Sequence, residues 1–187
     1  MDPNQVVTQA KSKFQAAVTH FEDELKKVRT GRAHPSMLDG VMVEVYGTQM
    51  PLNQAASVTA PEAQLLQITP FDPNNLQAIA TAIRENQSLG FNPMDDGRVV
   101  RVQIPPLTEE RRREFVKLLG GKVEDCMVRL RNARHEAQKD IDQAKKDKAI
   151  GEDDAKRLQK QVDEAMNQAK ADVEKASKAK EQEIMTV

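Results

Sequence analysis

The chain has 187 residues, enough for one or two domains, and its 28 Lys and Arg stand against 29 Asp and Glu, a formal charge of −1 that singles out no partner. With 39% apolar and 30% charged residues it suits a soluble fold, and no run approaches the roughly 18 consecutive apolar residues of a membrane span. The first 25 residues lack the continuous apolar run of a signal peptide, and the single Cys126 excludes an internal disulfide or a Cys-cluster zinc site, so the expectation is a cytoplasmic protein.

Charge is unevenly spread. Residues 31–105 contain no Lys, and hold four Arg against seven acids together with seven of the nine prolines. Proline interrupts helices, whereas dense charge suits the exposed faces of long ones. The discontinuity therefore predicts two units: a helical one from 1–30 and 106–187, and an inserted domain at 31–105.

Asp2-Pro3-Asn4-Gln5 reads as an N-cap followed by Pro at the first helical position and Gln at the third, a capping-box pattern. Val7, Phe14, Phe21 and Val28 then recur every seven residues, with Ala10, Ala17, Val18 and Leu25 between them, which makes one apolar stripe. Gly31 is expected to end this helix in a left-handed conformation.

The inserted stretch has a different grammar. Residues 41–46, 65–69 and 99–104 are rich in β-branched or aliphatic residues and predict strands, Gly47-Thr48 a turn, and Asp72-Pro73 the cap of a helix that carries Leu76, Ile79, Ala80 and Ile83 and closes near Gly90. A small α/β domain results, so the fold class is α+β.

After Pro105-Pro106 the helical pattern returns, with Thr108 as N-cap and Glu109 and Glu110 in the first turn. Val116, Val123, Leu130, Ala137 and Ala144 repeat by sevens, and Leu119, Cys126, Ala133 and Ile141 fill the alternate seam. The helix is expected to run roughly 55 to 60 Å at 1.5 Å per residue, weakened locally at Gly120-Gly121, which permits a bend. A turn near Gly151 leads to a third helix with the seam Ala155, Leu158, Val162, Ala165, Ala169, Val173 and Ala176. Three stripes too narrow to be buried alone predict a left-handed three-helix bundle.

No constellation of enzymatic residues emerges. His20, His34 and His135 have no second ligand at metal spacing, Cys126 sits on a seam, and Gly120-Gly121-Lys122 lacks the rest of a phosphate loop. Asp95-Asp96 and Asp153-Asp154 suit a turn and a helix start. The expectation is no catalysis, no metal and no cofactor. Residues 126–135 are sharper, since they hold Arg129, Arg131 and Arg134 and no acid. Arg129 has Asp125 one turn back, but Arg131 and Arg134 have no acid three or four positions away. Two readings stay open: a solvated face with partners on neighbouring helices, or a phosphate or RNA contact, for which the planar guanidinium is suited. There are only five Phe and one Tyr, and those on the long helices lie mostly on core stripes, so stacking on single-stranded bases is excluded and shape recognition of folded RNA remains.

Four segments carry a resemblance: Val28-Arg29-Thr30-Gly31-Arg32-Ala33-His34-Pro35-Ser36-Met37-Leu38-Asp39-Gly40, the hairpin Val43-Glu44-Val45-Tyr46-Gly47-Thr48 followed by Pro51-Leu52, Pro105-Pro106-Leu107-Thr108-Glu109-Glu110-Arg111-Arg112, and Arg131-Asn132-Ala133-Arg134. In order and spacing they resemble the bacterial ribosome recycling factors over essentially the whole chain. The resemblance implies an L-shaped monomer of tRNA-like dimensions that works with elongation factor G to split the post-termination ribosome. It also implies a bundle lying against large-subunit rRNA. Arg129, Arg131, Arg134 and His135 are the expected contacts, His135 standing where the family often has a further Arg. The crossings Thr30-Gly31-Arg32 and Pro105-Pro106 are the expected hinge, unless contact between the units makes them rigid. A coiled-coil adaptor protein without RNA binding is the alternative reading.

Overall fold

The computed structural model describes residues 2–186, which divide into two compact units, one running to Thr30 and resuming as Glu109–Thr186, the other Gly31–Thr108.

The first unit consists of three helices, α1 (Pro3–Lys26), α4 (Glu109–Lys146) and α5 (Glu152–Thr186), each packed on the other two. The Asp2 carboxylate caps α1 by accepting from the Asn4 N–H at 3.0 Å. The heptad stripe of α1, with Val28 just beyond its end, is buried throughout against Leu119, Cys126, Leu130 and Ile141 of α4 and Leu158, Val162, Ala169 and Val173 of α5. Met166 and Ile184 join this core, while the expected seam residues Ala165 and Ala176 are only partly buried.

Three features of the helices bear on the expectations. First, α1 stops at Lys26, well before Gly31, although Gly31 does adopt a left-handed φ of +82°. Second, α4 is helical through Gly120 and Gly121, where packing outweighs the weak propensity of two glycines. Third, the chain turns just before Gly151, as expected, and a lysine takes the left-handed position there. Lys148 has φ +55°, its N–H bonds the Lys145 carbonyl at 3.1 Å, and the Ala149 N–H bonds the Ala144 carbonyl at 2.9 Å. This pair of bonds is a Schellman motif, which usually places Gly at that position. Lys145 and Glu152 then bridge the turn at 2.5 Å.

In the second unit, β1 (Met42–Val45) and β2 (Thr48–Pro51) form a hairpin, followed by α2 (Leu52–Ala55). β3 (Ala56–Glu62), β4 (Leu65–Pro70), β5 (Pro93–Asp95) and β6 (Val100–Gln103) form a sheet in the order β3-β4-β6-β5, every pairing antiparallel. Leu66, Ile68, Val100 and Val102 are fully buried in a core with Ile79 and Ile83 of α3 (Leu76–Glu85) and Val43 of β1.

The hairpin turn is Tyr46-Gly47 rather than Gly47-Thr48. Val45 pairs with Thr48 and both turn residues have positive φ, +52° and +75°, the type I′ geometry that matches strand twist. The left-handed conformation costs an L-residue about 1–2 kcal/mol. Asp72 caps a 3₁₀ turn, Pro73–Asn75, that feeds α3, its carboxylate accepting from the Asn74 N–H at 3.0 Å. α3 ends at Glu85, short of Gly90.

Candidate nucleic-acid interface

The core stripe of α4 through Cys126, Leu130, Ala133 and Ala137 forces the residues between them outward, and Arg129, Arg131, Arg134 and His135 are all exposed. They do not form one patch. Arg131, Arg134 and His135, three and four positions apart, share one flank of the helix. Arg129 falls on the opposite flank, where it borders a groove between α1 and α4 with His20, Phe21, Glu24, Lys122 and Cys126.

Both central arginines have acid partners that a search at one-turn spacing misses. Arg131 Nη2 donates to Glu124 Oε1 at 2.5 Å, seven residues back on the same helix. Arg134 Nε donates to Asp163 Oδ1 at 2.8 Å across on α5, and Gln159 Nε2 donates to the same oxygen at 3.0 Å. These pairs are about half exposed, with side-chain exposures of 54% and 64% for the first and 50% and 38% for the second. Exposed ion pairs of this kind contribute at most about 1 kcal/mol, so each guanidinium can exchange its carboxylate for a phosphate. The Arg134 contact to Asp163 is made through Nε.

The α1 side is more tightly tied. Glu24 accepts from Lys122 and Lys27, each at 2.7 Å, and these bonds, Lys122 first, pull its carboxyl down to about 2. Lys13 and Glu136 form a second α1–α4 pair at 2.6 Å. Cys126 Sγ lies 3.5 Å from the Ala17 carbonyl, and burial pushes its thiol up, as expected of a core residue and contrary to a nucleophile. Among the described residues no group of three or more His, Cys, Asp or Glu is placed to hold a metal ion, and no helix is long and apolar enough to cross a membrane. His34, idle in the sequence reading, caps the 3₁₀ turn Pro35–Leu38 through Nδ1, which accepts from the Ser36 N–H at 3.1 Å.

The expected hinge residues frame residues 31–108. Thr30, Gly31 and Arg32 lie outside regular structure, as do Pro105 and Pro106. On the second unit the two crossings are held next to each other: the Ala33 N–H bonds the Ala63 carbonyl at 2.6 Å and the Ile104 N–H bonds the adjacent Gln64 carbonyl at 2.8 Å. Neither bond is foreseeable from sequence, because residues 63–64 link β3 to β4 and β3 itself carries little strand signal.

Comparison with known proteins agrees across the whole chain. The family model described as ribosome recycling factor matches residues 21–185. The ribosome-recycling factor of Mycobacteroides abscessus is 43% identical over 184 residues, covering 98% of this chain and 99% of that protein, and that of Bacillus licheniformis is 43% identical over 183 residues, with 98% of each covered. A solution structure of the ribosome recycling factor superposes with a TM-score of 0.73 at 36% identity, covering 100% of this chain and 99% of the other. A ribosome recycling factor from T. thermophilus, described with E. coli elongation factor G bound to the E. coli post-termination complex, gives a TM-score of 0.63 at 36% identity, covering 99% of this chain and all of that one. By sequence along its length and by fold, the chain belongs to the ribosome recycling factor family.

Proposed function

We propose that this chain binds the post-termination ribosome and, with elongation factor G, promotes its dissociation into subunits. The observation that carries this reading is the near full-length relationship to ribosome recycling factors, one of them described on the post-termination complex with elongation factor G. An adaptor without RNA binding does not account for that relationship.

Within this reading the bundle anchors the molecule. Arg131 and Arg134 exchange Glu124 and Asp163 for phosphates of large-subunit rRNA, with His135 beside them, and Arg129 reaches RNA from the other flank. Residues 31–108, without Lys up to 105 and net acidic, are unsuited to RNA and receive the translocase. Rotation is confined to Thr30, Gly31 and Arg32 and to Pro105 and Pro106. The chain acts as a cytoplasmic monomer without catalysis or cofactor of its own, and GTP hydrolysis belongs to the partner.

Sedimentation of post-termination ribosomes with the protein, elongation factor G and GTP tests the reading, and subunits are the expected product only when all three are present. Arg131→Ala combined with Arg134→Ala is expected to leave the melting temperature nearly unchanged, while it weakens ribosome binding and flattens its salt dependence. Normal binding by that variant would refute the RNA-facing assignment.

A further inference from the structure

Two of the six aromatic residues escape the cores, and both belong to the second unit, Tyr46 at the hairpin tip and Phe71 just after β4. Tyr46 is 78% exposed and Phe71 is 67% exposed. The Tyr46 hydroxyl donates to the carboxylate of Asp72, the residue after Phe71, so the hairpin tip is fastened beside the end of β4. Tyr46 also sits in a left-handed conformation, at a turn position where Asn or Gly is the favoured residue. A strained, exposed aromatic at a position that polar residues fill more readily points to a use outside the fold.

Two carboxylates at this end of the sheet, Asp72 and Asp95, lack a cationic partner among the described residues. Ile68 of β4 is level with Val100 of β6, and Val100 with Asp95 of β5, so Asp95 belongs to the same end of the sheet. Asp95 accepts from Gln77 Nε2 at 3.2 Å and from the Gly97 N–H at 3.3 Å, while Asp72 accepts from the Asn74 N–H and the Tyr46 hydroxyl. Among the described residues neither carboxylate has a Lys or Arg in ion-pair contact, in contrast to Asp96, which is paired with Arg101 at 2.6 Å. A protein segment carrying Arg or Lys gains twice, by stacking its cation on an aromatic face and by supplying a carboxylate with the cationic partner it lacks.

We infer that Tyr46, Phe71, Asp72 and Asp95 form a docking surface for a basic protein segment. This deepens the reading of residues 31–108 as the unit that receives a protein partner, and rests on it in that respect. Aromatic anchors ringed by polar groups are the usual composition of energetically dominant contacts between proteins.

The test uses the full-length chain, titrated by NMR with an Arg- and Lys-rich decapeptide and, separately, with a single-stranded RNA decamer. The peptide is expected to shift the amide resonances of residues 46–48, 71–72, 74–77 and 95–97 saturably, and the RNA is not. Tyr46→Asn keeps the turn, since Asn tolerates the left-handed conformation. Together with Phe71→Ser it is expected to weaken peptide binding at least tenfold with an undiminished melting temperature. Absence of a saturable shift, equal shifts from RNA, or undiminished binding by the double variant would overturn the surface. Failure of the wild-type chain to sediment with post-termination ribosomes would instead refute the recycling reading, while the peptide titration still decides this one.

Discussion

Lys148 holds a left-handed φ of +55° at the position where the Schellman motif favours Gly. Lys148→Gly removes that strain at the cost of some unfolded-chain entropy, and is expected to stabilise the bundle by about 0.5–1 kcal/mol, seen in a thermal melt as a rise of roughly 2 °C. A lowered melting temperature would show that the lysine side chain matters more than its backbone. The arginine flank invites a second substitution. Asp163 accepts from both Arg134 and Gln159 and competes with any phosphate for the guanidinium. Asp163→Asn is therefore expected to raise ribosome affinity by up to about fivefold, the scale of a surface ion pair, measured by filter binding at low salt. Reduced affinity would mean that Asp163 aims Arg134 and does not restrain it. This part of the candidate site is only half legible in sequence. The excess of Arg over acid in residues 126–135 is visible, but Asp163 approaches through the packing of α4 on α5, and Glu124 lies two turns away.

At the scale of elements, α1 and α4 are joined by the half-buried Glu24–Lys122 pair, reinforced by Lys27. The hydrogen bonds from Lys122 and Lys27 hold the Glu24 carboxyl at about 2, below its ordinary 4.5. A carboxylate depressed in the folded state binds its proton more weakly there than in the unfolded chain, so its contribution is fully present above about pH 4.5 and fades as pH falls towards 2. Glu24→Gln is expected to lower the melting temperature at pH 7 and to flatten its decline between pH 4.5 and 2, and an unchanged acid limb would exclude Glu24 as a source. Asp96, held at about 2 by the Val99 and Arg98 N–H groups and by Arg101, retains its own acid dependence in that variant. The helices are legible because their burial is periodic: the seven-residue stripe of α1 is its buried face almost position for position. β3 is not legible, because Ala56–Glu62 is small, polar and interrupted by Pro61, and owes its strand state to pairing with β4. β5 is only three residues long and depends in the same way on β6. Tyr46-Gly47 is misplaced by one residue because an aromatic in a type I′ turn runs against the usual Asn-Gly preference.

For the whole molecule, the question is whether the two units are energetically separate. Each has its own core, one drawn from α1, α4 and α5 and the other from the second unit's sheet, α2, α3 and hairpin. Residues 31–108 form the smaller unit, and a small unit buries proportionally less surface, so it is expected to melt first. Replacing residues 31–108 by a short Gly/Ser linker is expected to leave a helical bundle that melts cooperatively, because α1, α4 and α5 already contact one another pairwise. Such a bundle retains Arg129, Arg131, Arg134 and His135 and should still sediment with post-termination ribosomes. It has lost the unit assigned to the translocase, and should therefore fail to release subunits when elongation factor G and GTP are added. An unfolded product, seen by circular dichroism, would show that the bundle depends on the inserted unit. A folded bundle that still splits ribosomes would reject the division of labour, since anchoring alone would then suffice.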